Sequence, residues 1–272
     1  MSRAWFGGIA LLALIGAALA PGAASAQRSI EASPLRVEMQ IDPGGSRTQA
    51  VTITNPGADP VRVRATIADW HLARDGAPQF QAPLAGRPYA AASWVRFAPP
   101  EFTLDAGAQG TVRFTVAVPR DAQAGGYRTG LLFEFLPGTP EREAQGRQVV
   151  LRSRIATMIY VNVGGPAAAV ELTGLSVRGP ADARQIVADL RNSSRRTVRT
   201  RGTLVLYDST GLPVASLIVP DVPVLPESER ELAIQAAEAL KALPAGSYTV
   251  EIKLDLGMPA LVVGETTMRV SR

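Results

Sequence analysis

The chain has no cysteine and one histidine, and its only lysines are Lys241 and Lys253. Without cysteine no disulfide can staple the fold. Stability must come from buried apolar surface, which domains of over about 100 residues can supply. The lone histidine, His71, sits beside Trp70 and before a loop. Such a residue is more often a surface or packing group than a base. There is no G-x-S-x-G elbow, no phosphate loop and no metal-spaced cluster of His, Cys and carboxylates. These absences argue against triad and zinc chemistry, and no cofactor or metal is expected. A carboxylate pair of the kind glycosidases use needs no fixed spacing, so motif alone does not exclude it. The acids Glu38, Asp59, Glu134, Glu251 and Asp255 fall on polar strand faces and turns and read as solvated. The chain reads as a non-enzyme.

After the N-terminus no segment approaches the roughly 18 uninterrupted apolar residues of a membrane span. The N-terminus itself is apolar from Ala4 to Ala20, follows Arg3, and ends at the small-x-small triplet Ala24-Ser25-Ala26. That is the form of a secretory signal peptide, residues 1–26. The mature chain is therefore expected to be exported, with no stable membrane insertion. Removing Arg3 and no acid lowers the formal charge from +4 to +3.

What the chain has is a repeat. VTITNPGADPVRVRATI, Val51 to Ile67, is echoed by ADLRNSSRRTVRTRGTL, Ala188 to Leu204, at an offset of 137 (192 − 55). A second echo sets Leu104 and Tyr127 against Leu225 and Tyr248, at an offset of 121 (248 − 127). Two echoes in one order imply tandem copies of one domain rather than a solenoid. The offset falls by 16 (137 − 121), so copy one should carry about that much extra chain between Ile67 and Leu104.

The repeated unit is a strand–turn–strand pattern. Gln49 to Thr54 alternates apolar and polar, stops at Asn55-Pro56-Gly57, and resumes at Val61 to Ile67. Val112 to Val118 alternates again and ends at Pro119. Period-2 runs between turn signals predict half-buried strands packed as a sandwich. Tyr127 and Tyr248 each precede such a strand. Each is either a tyrosine corner, closing a loop end through its phenol, or a strand-initial tyrosine filling the core end. The expected fold is all-β, with two tandem immunoglobulin-like β-sandwich domains, 27–165 and 166–272, joined by a short hinge at Gly164-Gly165-Pro166. One helix is expected between the last strands, from Gln235 to Ala242 before Pro244. Punctuated by Asp75-Gly76, Pro78, Pro83, Gly86 and Pro88, the extra segment 68–94 reads as a long loop or hairpin pinned by Trp70 and Trp94.

Five arginines cluster between Arg191 and Arg201. An anion-binding surface is one reading. The alternation of Arg199 and Arg201 with Val198, Thr200 and Gly202 favours a solvated hairpin face. No nucleic-acid module accompanies them, and no nucleic-acid partner is expected.

The most suggestive segment is Val149 to Val163, fifteen residues without Gly or Pro, long against a typical five or six. Val149, Leu151, Ile155, Ile159, Val161 and Val163 share one face. A long apolar edge strand either is covered or exists to pair with another chain.

At this point the chain resembles the periplasmic chaperones of chaperone–usher pilus assembly, the PapD-like family. The resemblance lies in the signal peptide, Ser33-Pro34-Leu35-Arg36-Val37, the Val51 to Asn55 strand and turn, and Pro99 to Leu104 leading to Val112-Arg113-Phe114. It continues through Tyr127-Arg128 before Leu132-Phe133-Glu134-Phe135 and the long strand entering the hinge. It covers about half the chain. It implies a periplasmic chaperone that caps secreted pilus-type, β-rich subunits by β-strand donation, with an outer-membrane usher as a further partner. It implies a client-carboxylate anchor at Arg36. The family's second cation, a lysine, falls near Ala156, so Arg152 or Arg154 are the nearest substitutes. It implies a donor face at Val149, Leu151 and Ile155. The competing readings are a structural or adhesive immunoglobulin-like envelope protein without a client and, more remotely, a carboxylate-dependent hydrolase.

Overall fold

The computed structural model describes residues 30–83, 86, 88–136, 141–142, 148–149 and 154–270. The signal-peptide segment lies outside them, as do Leu151 and Arg152. Copy one contains β1 (Glu31–Ser33), β2 (Arg36–Gln40), β3 (Ser46–Thr54), β4 (Val61–Leu72), β5 (Pro78–Gln81), β6 (Val95–Ala98), β7 (Glu101–Leu104), β8 (Gln109–Ala117) and β9 (Gly125–Leu136). It closes with β10 (Glu141–Arg142), β11 (Gln148–Val149) and β12 (Arg154–Val163). Copy two contains β13 (Val170–Arg178), β14 (Gln185–Asn192), β15 (Val198–Arg199), β16 (Arg201–Tyr207), β17 (Pro213–Ile218), β18 (Pro223–Val224), β19 (Ser228–Gln235), α1 (Ala237–Lys241), β20 (Gly246–Asp255) and β21 (Val262–Val270).

Each copy is a two-sheet sandwich. In copy one, β1-β3-β8-β6 faces β2-β12-β9-β4-β5, with β7 also on β4. In copy two, β13-β14-β19 faces β17-β16-β20-β21, with β15 paired to β18. The inward residues of the alternating strands make one apolar core per copy. Val51, Ile53, Val63, Phe114, Leu131, Phe133 and Ile159 sit in the first. Ile186, Leu190, Leu204, Leu232, Val250 and Ile252 sit in the second. Burial of such side chains, at roughly 1.5–3 kcal/mol each, holds the sandwiches together.

The repeat is real at the level of register. Val61 faces Leu104 in copy one, and Val198 faces Val224 in copy two. The offsets are 137 (198 − 61) and 120 (224 − 104), so Leu104 corresponds to Val224, immediately before the expected Leu225. The offset therefore falls by 17 (137 − 120) rather than by 16. Copy two regains one position in the α1 connection, which restores the offset of 121 at the tyrosines. Both tyrosines are corners: the Tyr127 phenol donates to the Gln123 carbonyl at 3.0 Å, and Tyr248 donates to Pro244 at 2.8 Å. The extra chain forms the outer half of β4 and the strand β5, which pair Asp69 with Gln81 through Leu72 with Pro78. It is a hairpin, as the turn residues predict.

Candidate functional site

The outer face of the β2-β12-β9-β4 sheet is where the two copies meet. Along β4 this face begins with exposed Arg62, Arg64 and Thr66, then changes to buried Ala68 and Trp70. The change marks the edge of the area that copy two covers. The Trp70 ring packs edge-on to Tyr160, 5.4 Å between centroids, and Leu225 of copy two joins the same apolar cluster. Arg128 donates from Nε to the Trp70 carbonyl at 3.0 Å, with its guanidinium 5.8 Å from the ring centre. Burial lowers the Arg128 pKa. Gly126 donates its amide to the Arg195 carbonyl at 2.7 Å. A Cβ on Gly126 would lie 2.5 Å from Thr197 Oγ1, so only glycine admits this approach.

A four-charge ring closes one end of the joint. Arg36 lies 3.4 Å from Glu38 and 3.5 Å from Asp221. Arg199 lies 3.4 Å from the same Glu38 and 2.5 Å from the same Asp221. Its Nη2 also donates to the Asp221 carbonyl at 2.8 Å. Arg199 is the least exposed member, with 14% of its side chain accessible. Burial pushes the Asp221 carboxyl up, but the Arg199 hydrogen bond and the charges of Arg199, Arg36 and Arg201 outweigh it and hold the pKa below the ordinary value. A cleft of about 230 Å³ runs beside the ring, lined by Glu38, Asn162, Arg196, Arg199 and Arg201 among others.

The β4–β5 hairpin closes the other end. The Arg74 carbonyl accepts the Glu231 amide at 2.7 Å. The Arg74 guanidinium reaches Asp189 at 3.0 Å and Glu231 at 3.3 Å. Gly76, at φ +91°, lies against the Arg230 guanidinium, where a Cβ would overlap it. The chain that copy one has in excess is thus the arm that grips copy two.

The arginine cluster corrects the expectation of a solvated hairpin. Arg191 fits that description, exposed and 2.9 Å from Glu229. Arg195 and Arg199 instead enter the joint. Arg195 lies over the Tyr89 ring at 5.7 Å and bonds Gln123. Alternation identified an exposed face correctly for an isolated domain and could not show that another domain covers it. Glu134, also expected to be solvated, is 8% exposed for a different reason: it stands within copy one between Arg64 of β4 and Arg154 of β12, with Arg154 at 4.0 Å. His71 is half-buried and shares a hydrogen bond with Gln81. Among the described residues no group of three His, Cys or carboxylates is placed to hold a metal.

The predicted site residues are only partly brought together. Arg36 opposes Met158 across the parallel β2–β12 pair and points to the joint. Arg154 is on the same face of β12, four residues away, roughly 13 Å at 3.3 Å per residue. One carboxylate cannot span both. The cation beside Arg36 is Arg199, whose alternation with Val198 and Thr200 points to a solvent face. Of the donor face, Ile155 is half-buried against the first core and Leu151 lies outside the described residues. Val149 belongs to β11, which pairs with β10, Glu141 opposite Val149. The expected fifteen-residue strand appears as Gln148–Val149 and Arg154–Val163, with 150–153 outside the described residues.

Among the described residues, the start of β12 has one edge without a strand partner. β9 pairs with β12 from Arg154 to Val163, but β2 covers it only from Met158 to Asn162. The Met158 amide donates to the Leu35 carbonyl at 2.8 Å. Amides alternate along a strand, so those of Ala156 and Arg154 point to the same side, beyond the end of β2. β2 stops there because Ser33 pairs in the opposite sheet with Thr52, and Pro34 between them has no amide to offer.

No family model and no curated protein matches the chain. Solved structures that resemble it include the class 5 fimbriae chaperone CfaA, at 11% identity and TM-score 0.45, covering 88% of this chain and 99% of that one. The E. coli chaperone DraB has 13% identity and TM-score 0.43, covering 90% and 98%. The CsuC–CsuE chaperone–tip subunit complex of Acinetobacter baumannii pili has 14% identity and TM-score 0.44, covering 87% and 97%.

Proposed function

We propose that this chain is an exported, periplasmic chaperone-like protein that binds and caps a secreted β-rich subunit of fimbrial type by strand donation. Its two domains would be 27–165 and 166–272. The observation that carries the reading is the edge of β12 from Arg154 to Ala156, which among the described residues pairs with no strand on its β2 side, beside Arg36 at the joint. A strand laid on that edge gains backbone hydrogen bonds, and alternating side chains read its sequence. The segment running into this edge holds Val149 and Leu151. These would complete the apolar face that an unfinished sandwich lacks. Arg36 would take the client's terminal carboxylate, and its planar guanidinium suits a two-oxygen acceptor. Among the described residues no helix is long and apolar enough to cross a membrane.

Co-purification tests this directly. Tagged mature protein expressed with its genomic neighbours should bring down a small β-rich partner. Arg36→Ala should retain the fold and lose roughly ten- to a hundred-fold in capture, the weight of one charge-assisted hydrogen bond. Capture undiminished in Arg36→Ala removes the anchor.

The second reading, an envelope protein without a client, is favoured by one observation: Arg36 already has Glu38 and Asp221 as partners. Leu151→Glu separates the two. A donor strand tolerates it with little change in melting temperature and loses capture. A strand packed under its own sheet loses several kcal/mol by burying the charge.

A further inference from the structure

We propose that Arg36 and Arg199 form one carboxylate-binding site shared between the two domains, and that Asp221 is its resident occupant. The inference rests on the proposed function and adds the second cation and the control of the site. Asp221 is seated as a terminal carboxylate would be. Arg199 Nε donates to its Oδ1 at 2.5 Å, and Arg36 Nη1 reaches its Oδ2 at 3.5 Å. Each carboxylate oxygen thus faces one guanidinium, and the two guanidinia come from different domains. Glu38 lies 3.4 Å from both arginines and balances the second charge. The site is built rather than incidental, because Arg199 is held from behind: its Nη2 bonds the Asp221 carbonyl at 2.8 Å. Asp221 and Arg36 are half exposed, at 43% and 47% of their side chains, so an incoming carboxylate can reach the pair.

A ligand and Asp221 compete for the same donors. Binding therefore costs the free protein one internal ion pair, and the site discriminates against ligands that bring no other contact. A client strand that also pairs with the open edge of β12 meets the cost; a free small carboxylate does not. Because Arg199 and Asp221 both belong to copy two, displacement of Asp221 releases only the Arg36 half of the bond between domains, while Arg199 keeps its contact with Glu38 of copy one. The occupant can thus change with the Arg199–Glu38 tie intact, although this end of the joint loosens.

The test uses mature protein and two synthetic peptides with the sequence acetyl-Ser-Val-Thr-Val-Ser-Val, one ending in a carboxylate and the other in a carboxamide. Affinities are read by NMR titration. Asp221→Asn should bind the carboxylate peptide about tenfold tighter than wild type, with the carboxamide unchanged, as loss of one competing ion pair requires. Arg199→Gln should abolish the preference for carboxylate, and Arg199→Lys should restore part of it. If Asp221→Asn leaves carboxylate affinity unchanged or weaker while Arg36→Ala still reduces it, Asp221 is a strut and the inference falls, with the anchor standing. If no variant distinguishes the two peptides, or neither peptide binds Asp221→Asn, the shared site is overturned. Loss of discrimination in Arg36→Ala as well would take the anchor of the proposed function with it.

Discussion

Asn55 and Asn192, equivalent positions of the two copies, hold their turns with the same bonds. The Asn55 amide donates to the carbonyls of Asp59, Leu104 and Asp105, and its oxygen accepts the Gly57 amide. The Asn192 amide donates to Arg196, Val224 and Leu225, and its oxygen accepts the Ser194 amide. Both side chains are 1% exposed. One amide side chain thus ties a strand end to its own turn and to the end of another strand, β7 in copy one and β18 in copy two. That need explains why the same residue recurs where little else is identical.

Asn55→Ala and Asn192→Ala should therefore be equally harmful. Each leaves buried carbonyls without donors, at about 1–3 kcal/mol per orphaned group. Chemical denaturation should show about 2–4 kcal/mol lost in either variant, the sum over the orphaned groups after partial relaxation. A loss under about 0.5 kcal/mol, the size of an ordinary surface substitution, would mean that the turn in question is held by other contacts.

Gly76→Ala should loosen the arm without unfolding either sandwich. The alanine methyl would displace the Arg230 guanidinium from its place against the arm, and φ +91° disfavours any Cβ. Trypsin should then cut after Arg74 much faster than in wild type, while the melting temperature falls by only a few degrees. Equal cutting rates would show that the arm is not a clasp.

Acid should unlatch the ring end of the joint. The folded pKa of Asp221 is depressed, so its contribution is present above the unfolded value, about 3.9, and is lost as pH falls through the folded value. The other charged groups facing it are Arg36, Arg199, Arg201 and, across the ring, Glu38. Inter-domain mobility, read by small-angle scattering, should rise below about pH 4 in wild type and be elevated at neutral pH in Asp221→Asn. A wild-type profile that stays flat from neutral pH into strong acid contradicts the latch.

The sandwich architecture was legible because period 2, turn residues and the repeat are local signals. The extra excursion followed from the same signals, whereas each tyrosine stayed open between a corner and a core-end residue, which the phenol bonds to Gln123 and Pro244 decide for the corner. The echo pairs Leu104 with Leu225, one residue past its true equivalent, and only the ladder fixes that equivalent as Val224. The joint was not legible. Arg199 has the pattern of a free domain's surface, and its burial depends on contacts far along the chain; the burial of Trp70 agrees with its expected pinning role, but nothing local points to Leu225 of copy two beside it. Arg36 was found through resemblance; its real neighbours, Asp221 and Arg199, belong to the other domain, and no local pattern links them to it.

The most direct test of strand donation is amide hydrogen exchange at β12, measured on the mature protein with its co-purified partner bound and after the partner is stripped. The open edge predicts that Arg154 and Ala156 exchange rapidly in the free protein and become protected in the complex, while Met158, already bonded to Leu35, is protected in both. Protection of Ala156 that is the same with and without the partner would contradict the account.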